Sequence, residues 1–290
     1  MTVKSELQGG NGLLKKLRDE CIPQGQLIAH EAIGNLNLNA DNITKEKARE
    51  NFNDLLYKVL LEEWKVYQSY ETALYKTKVI PEIIKLIRSN KRAYPKCQFL
   101  IKTALDEIQG QDSPDDKMLK ITQSFYEYFE ALFQSLHQSR KTRAGGSLQY
   151  QIEHIFNLCG FPFQKQTFLN GPVDFLIPSE EYFHRYRHDA IILSLKRTLR
   201  ERWQQAIAEL HAARVGRIYL ATAETDKGKI RNRDLDRMDN LNVTLVVFDR
   251  MKIEKFPERP TVIGYTEFIN TNIAVAEQLW IQRGIVQTRR

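Results

Sequence analysis

The stretch PVDFLIPSEEYFHRYRHDAIILSLK, residues 172–196, holds two apolar runs separated by a polar connector. VDFLI (173–177) and AIILSL (190–195) are rich in β-branched and aliphatic residues and read as strands. The polar connector lets them pair as a long hairpin. Downstream, RIYLATA (217–223) and VTLVVF (243–248) read the same way. AIILSL and VTLVVF are almost continuously apolar, which suits strands buried on both faces. Helices are predicted between the later strands, at about residues 198–213 and 229–240. This alternation predicts an α/β fold with a mixed central sheet flanked by helices.

Upstream the pattern changes. SRKTRAGGS (139–147) is basic, contains two glycines and reads as a turn. Ser147 is placed to cap a helix, SLQYQIEHIFNLCG, which Gly160 closes. From about Leu13 to His137 the chain reads as helical. Phe52, Leu55, Leu56, Val59, Leu60, Trp64 and Tyr67 fall at helical spacing with charges between them. GQDSPDD (110–116) is the clearest breaker cluster, and KMLKITQSFYEYFEALFQSLHQ after it reads as one amphipathic helix. The predicted organisation is a helical region over 1–138 and an α/β core over 139–290.

A chain of 290 residues with 42% hydrophobic and 27% charged residues has enough apolar content for a packed core. It holds no apolar run of membrane-spanning length, so no membrane partner is expected. Its first residues lack the apolar centre of a secretory signal. Three cysteines, Cys21, Cys97 and Cys159, stand far apart and in no metal-binding spacing, so a reducing cytoplasm is the expected location. The net charge of +7 permits a polyanionic partner without requiring one.

The chemistry lies in the opening stretch. Asp174 starts the first strand and Lys196 ends the second, so a hairpin sets a carboxylate beside an ammonium. That pair is the pattern of a metal-dependent phosphodiesterase: the carboxylate holds Mg²⁺ and the ammonium orients the attacking water. Most such sites carry a second acid two residues before the lysine, where this chain has Ser194. A substitute acid is therefore required. Glu209, on the helix expected after Lys196, is the candidate, and Glu153 on the preceding helix is a further one. The plainer alternative is that Asp174 only begins a strand and Lys196 is a solvated strand end.

Between Lys196 and Glu209 the chain reads KRTLRERWQQAIAE. With PVDFLIPS, SRKTRAGGSLQYQIEHIF, RIYLATA and LNVTLVVFD, this resembles the EcoRII, SsoII and PspGI group of type II restriction endonucleases. That group belongs to the CCGG family within the PD-(D/E)xK superfamily. The resemblance spans about residues 139–249. It implies a Mg²⁺-dependent homodimer, or a tetramer, that cuts double-stranded DNA. The implied active site is Asp174, Lys196 and Glu209, with Asp174 and Glu209 as metal ligands. The basic-acidic-basic run Arg200, Glu201 and Arg202 then reads G·C pairs, and the target carries CC and GG half-sites, CCNGG-like. The chemistry agrees: arginine bonds guanine O6 and N7 together, and glutamate accepts from the cytosine amino group.

Arg140, Lys141 and Arg143 are candidates for gripping phosphates, against the alternative of a solvated basic loop. Relatives in the group flip bases, which makes Trp64 a candidate pocket wall, against the alternative of a packing residue. The helical region is expected to clamp DNA or form the dimer contact. Two rival functions stand beside this reading. One is a repair nuclease of the same fold that selects structures or mismatches. The other is a sequence-specific DNA-binding protein without catalysis.

Overall fold

The computed structural model describes residues 6, 8, 12–79, 81–82, 85, 94–110, 113–168, 172–199, 217–225 and 230–284. The chain forms two compact units. The first takes in Met1–Ile28 and Glu63–Ala144; the second takes in Ala29–Glu62 and Gly145–Arg290. Among the described residues, no helix is long and apolar enough to cross a membrane.

The early helices are α1 (Leu13–Cys21), α2 (Gly25–Asn35), α3 (Lys45–Glu50) and α4 (Phe52–Leu74). They are followed by α5 (Pro95–Gln109), α6 (Pro114–Ser124) and α7 (Tyr126–Cys159). Their starts follow side-chain chemistry. The Thr44 hydroxyl accepts from the Lys47 amide to start α3. Ser113 accepts from the Asp115 and Asp116 amides at the head of α6, where Pro114 occupies the first turn. A carboxylate from a distant segment caps α5: Glu6 accepts from the Lys96 and Cys97 amides, each at 3.0 Å.

Two expectations for this region need correction. The segment after the breaker cluster is not one helix, because the chain breaks at Phe125 between α6 and α7. The segment SRKTRAGGS is not a turn, because the 34-residue helix α7 continues through it. Gly145 and Gly146 keep φ out of the left-handed region, so their conformational freedom goes unused. Ser147 is buried within the helix and accepts from the Gln151 side chain one turn on, so it does not cap a new one. Two helical glycines cost about 1 kcal/mol each relative to alanine. Burial of Leu132 and Leu136 before the glycines and of Leu148 and Ile152 after them offsets this. Gly160 does end α7 as expected, with φ of +70°.

The second unit contains a six-stranded mixed sheet in the order β1–β2–β3–β4–β5–β6. The strands are β1 (Gln164–Phe168), β2 (Pro172–Ile177), β3 (Ile191–Lys196), β4 (Arg217–Thr222), β5 (Val243–Val247) and β6 (Val262–Gly264). β1, β2 and β3 pair antiparallel, and β3 through β6 pair parallel. Among the described residues, the helices α8 (Glu180–Arg185), α9 (Asn232–Asn240), α10 (Asp249–Lys255) and α11 (Ala274–Gln282) accompany it. The connector between β2 and β3 thus holds a short helix, capped by the Ser179 hydroxyl on the Tyr182 amide. β1 and β6 carried no strand signal. Gln164 and Lys165 of β1 are polar and exposed, as an outer strand allows, and β6 is only three residues long. The helix expected at about 198–213 lies largely outside the described residues.

The core of this unit gathers around Phe156 of α7. Its ring lies 5.6–5.8 Å from those of Phe52, Phe161, Phe163 and Phe175. Truncating such a fully buried ring costs about 3–5 kcal/mol. Arg49 of α3 fastens the rim of this core. Its guanidinium bonds both Glu277 oxygens at 2.9 Å, donates to the Cys159 carbonyl and lies 4.4 Å over Phe161. In urea denaturation Arg49→Ala is expected to lose about 2 kcal/mol, because a half-buried Glu277 is left without its fork. Arg49→Lys should recover less than half of that, since an ammonium cannot reproduce the planar geometry.

Candidate active site

The pairing of β2 with β3 assembles the site. Phe175 is paired with Leu193, so Asp174 stands opposite Ser194 one step along the ladder. Side chains alternate along a strand, which puts Ser194 and Lys196 on the Asp174 face of the sheet. One Asp174 oxygen, Oδ2, accepts from the Leu195 amide at 2.7 Å and from the Ser194 hydroxyl at 3.4 Å. The serine that replaces the usual second acid therefore acts as a donor to the remaining one. Lys196 ends β3, half-buried, and is paired with Thr222 of β4.

Burial pushes the Asp174 carboxyl above the ordinary carboxylate range. The Leu195 amide, the Lys196 ammonium and the Ser194 hydroxyl each pull it back down, and burial is the larger effect. Lys196 is thus near enough for its charge to be felt at Asp174. A partly buried carboxylate held by a main-chain amide, with an ammonium alongside, suits a hard divalent cation. Among the described residues, no three acidic, histidine or cysteine side chains converge as a metal cluster. Asp174 fits as one ligand. Glu209, expected to complete the set, lies outside the described residues.

Glu153 is on α7, where it forms an ion pair with Lys165 of β1 at 2.7 Å. Its carboxylate is therefore engaged by a lysine from the outer strand. Arg200, Glu201, Arg202 and Trp203 also lie outside the described residues. The last described residue before them, Leu199, is buried in the core.

The residues considered for DNA contact in the first unit have defined partners there. Arg140 holds both Glu71 carboxylate oxygens and lies 5.1 Å from the Trp64 ring. Trp64 is 41% exposed and lies parallel to Tyr67, with 6.3 Å between ring centres. Arg143 donates to the Pro23 and Ile22 carbonyls and to the Ser139 hydroxyl. Of the basic trio only Lys141 is exposed. Internal bonds of this kind leave no mark in a sequence, where the three read alike as a solvated cluster.

Two features at the ends of the parallel strands also had no sequence signal. Thr222 and Glu224 are buried at the exit of β4, beside Lys196 in the sheet order. A cleft of about 460 Å³ opens near the ends of β4 and β5, lined by Asn53, Asp54, Tyr57, Thr225, Phe248 and Arg250. Asp174 and Lys196 do not line it. The thiols offer no competing nucleophile in the core: burial pushes Cys97 and Cys159 up to about 12.

Residues 114–269, which carry this strand pair and both its flanks, match the family model described as EcoRII C terminal. The chain belongs to this family. It is 23% identical over 191 residues to the type II restriction enzyme SsoII of Shigella sonnei, covering 62% of this chain and 61% of that one. It is 32% identical over 136 residues to the type II restriction enzyme EcoRII of Escherichia coli, covering 45% and 32%. The chain thus spans less than two thirds of the length of either relative. The fold matches metal-depleted Ecl18kI in complex with uncleaved DNA, with a TM-score of 0.71 at 19% identity, covering 92% of this chain and 83% of that one. It also matches a PspGI–substrate DNA complex, with a TM-score of 0.55 at 16% identity, covering 89% and 94%. The mixed sheet with flanking helices is therefore the restriction-endonuclease fold expected for the core.

The Asp174 charge generates a pH-dependent prediction. Its folded-state pKa is raised, so its ionised form destabilises the fold at neutral pH, and the penalty is relieved as pH falls through that raised value. Asp174→Asn can keep its carbonyl oxygen on the Leu195 amide. Melting in a chelator should find Asp174→Asn more stable than the parent at pH 7. The difference should shrink as pH falls towards about 4, where a free aspartate also takes its proton.

Proposed function

We propose that the chain is a type II restriction endonuclease that hydrolyses phosphodiester bonds of double-stranded DNA. The observation that carries this reading is the Asp174 carboxylate seated on the Leu195 amide beside Lys196, within a chain of the EcoRII C terminal family. The two structural relatives, each solved with DNA, support duplex DNA as the ligand.

In this reading residues 139–290 carry catalysis, and residues 1–138 clamp DNA and form the dimer contact. Asp174 and Glu209 would hold Mg²⁺, which would supply positive charge at the phosphate and acidify a water. Lys196 orients the attacking water towards phosphorus. Ser194 and the Leu195 amide hold Asp174 Oδ2 and so fix the orientation of the carboxylate. Glu153, ion-paired with Lys165, is the further carboxylate of the site in this reading. Arg200 and Arg202 each take one guanine, and Glu201 accepts from cytosine amino groups, so one subunit reads two G·C pairs. A two-fold dimer reads them twice, as CC and GG half-sites around a central pair. Lys141 is the member of the basic trio left to meet the DNA backbone. Trp64 offers a base-stacking surface if the central pair is opened. The protein works in a prokaryotic cytoplasm, where its cysteines stay reduced.

The dimer reading rests on exposed apolar side chains in the first unit. Helix α6 has no buried residue, and Met118 and Leu119 on it are 67% and 57% exposed. Phe99 on α5 is 73% exposed. Apolar exposure of this kind marks interaction surfaces. Sedimentation should give twice the 33.9 kDa chain mass, and Phe99→Asp with Leu119→Asp should shift it to one chain. An unchanged sedimentation coefficient in the double variant would remove this surface from the dimer contact.

The decisive assay is plasmid DNA with Mg²⁺, followed by sequencing of the ends. Discrete fragments with CC and GG half-sites at their ends are expected, and Lys196→Ala should abolish them without loss of DNA binding. Cuts confined to junctions or mismatches, or a gel shift with no cutting, would overturn the proposal. Arg200→Ala and Arg202→Ala should each weaken cognate binding by about fivefold to 150-fold, the equivalent of about 1–3 kcal/mol per bidentate contact. Binding to unrelated DNA should change far less.

A further inference from the structure

Lys196 is the last residue of β3, and the chain bends away from the sheet immediately after it. Its neighbour across the parallel ladder is Thr222, the last residue of β4. Thr222 is completely buried. Its hydroxyl serves two main-chain groups at once: it donates to the Arg197 carbonyl at 3.3 Å and accepts from the Glu224 amide at 3.2 Å. Its own carbonyl accepts from the hydroxyl of Tyr265, also buried, at 3.2 Å. One side chain thus ties the first residue beyond β3 to the second residue beyond β4.

That tie sits where regular pairing stops. Up to Lys196 the ladder fixes the main chain. The next anchor in the core is Leu199, three residues on. Between them the Arg197 carbonyl is held by the Thr222 hydroxyl. A lysine side chain has a long flexible stem, so its ammonium is placed only as well as the main chain on both sides of it. We propose that Thr222 is a positioning residue of the active site, whose hydroxyl fixes the exit of β3 and thereby the reach of the Lys196 ammonium. The inference rests on the endonuclease reading above.

The test compares Thr222→Val, which keeps nearly the same shape without the hydroxyl, with Thr222→Ser, which keeps the hydroxyl without the methyl. Single-turnover cleavage at saturating DNA and Mg²⁺ is measured beside DNA affinity in chelator. Thr222→Val should cut on the order of tenfold to a hundredfold more slowly, as expected for a slightly misplaced catalytic group. Its affinity for site DNA should match that of the parent, and Thr222→Ser should cut close to the parental rate. Should Thr222→Val not fold, Thr222→Ala removes the same hydroxyl. Parental cleavage by the hydroxyl-less variant would overturn the inference, as would a serine variant equally slow, since packing of the methyl would then be the cause. Rate and affinity falling in step would overturn it too. If the parent itself cuts no DNA, the endonuclease reading fails, and that outcome is distinct from an active parent with an equally active Thr222→Val.

Discussion

The register of β2 against β3 is the constraint on which the candidate site depends. The Leu195 amide reaches the Asp174 carboxylate only when Phe175 is paired with Leu193. A slip by one residue would turn Asp174 to the other face of the sheet and bury Phe175 against the wrong layer. The apolar residues enforce the register, because Phe175 belongs to the aromatic cluster around Phe156. Hydrophobic packing on one face of the sheet therefore sets the geometry of polar chemistry on the other.

The same arrangement carries a cost. The core that fixes Asp174 also desolvates it, and the amide, hydroxyl and ammonium around it offset only part of that penalty. A fold that needed only stability would place an apolar residue there. Retaining a carboxylate that burial disfavours, beside an ammonium, is what functional sites tend to do. The Thr222 hydroxyl follows the same logic, since it places a polar junction inside the core where the sheet ends and the chain must still be held.

Much of the core was legible in the sequence. VDFLI, AIILSL, RIYLATA and VTLVVF are apolar enough to be read as strands, and all four are strands within a residue or two. Their burial makes their composition informative. β1 escaped notice because an outer strand tolerates polar residues, and β6 because three residues carry no periodicity. The SRKTRAGGS segment misled for a different reason. Local propensity favours a turn there, whereas the long helix α7 is held in shape by the burial of residues on both sides of the glycines.

Sequence alone determined the α/β character of the core, the candidate pair Asp174 and Lys196, and the resemblance that names the family. These follow from composition, spacing and residue type, which are local properties. Tertiary structure decided how the charged residues are employed. Arg140 and Arg143 face partners within their own unit, Glu153 is joined to Lys165, and Ser194 donates to Asp174. Each of those pairs joins residues that are distant in the chain or set on different strands and turns. A side chain's partner depends on which segments the fold brings together, and no window of sequence contains that information.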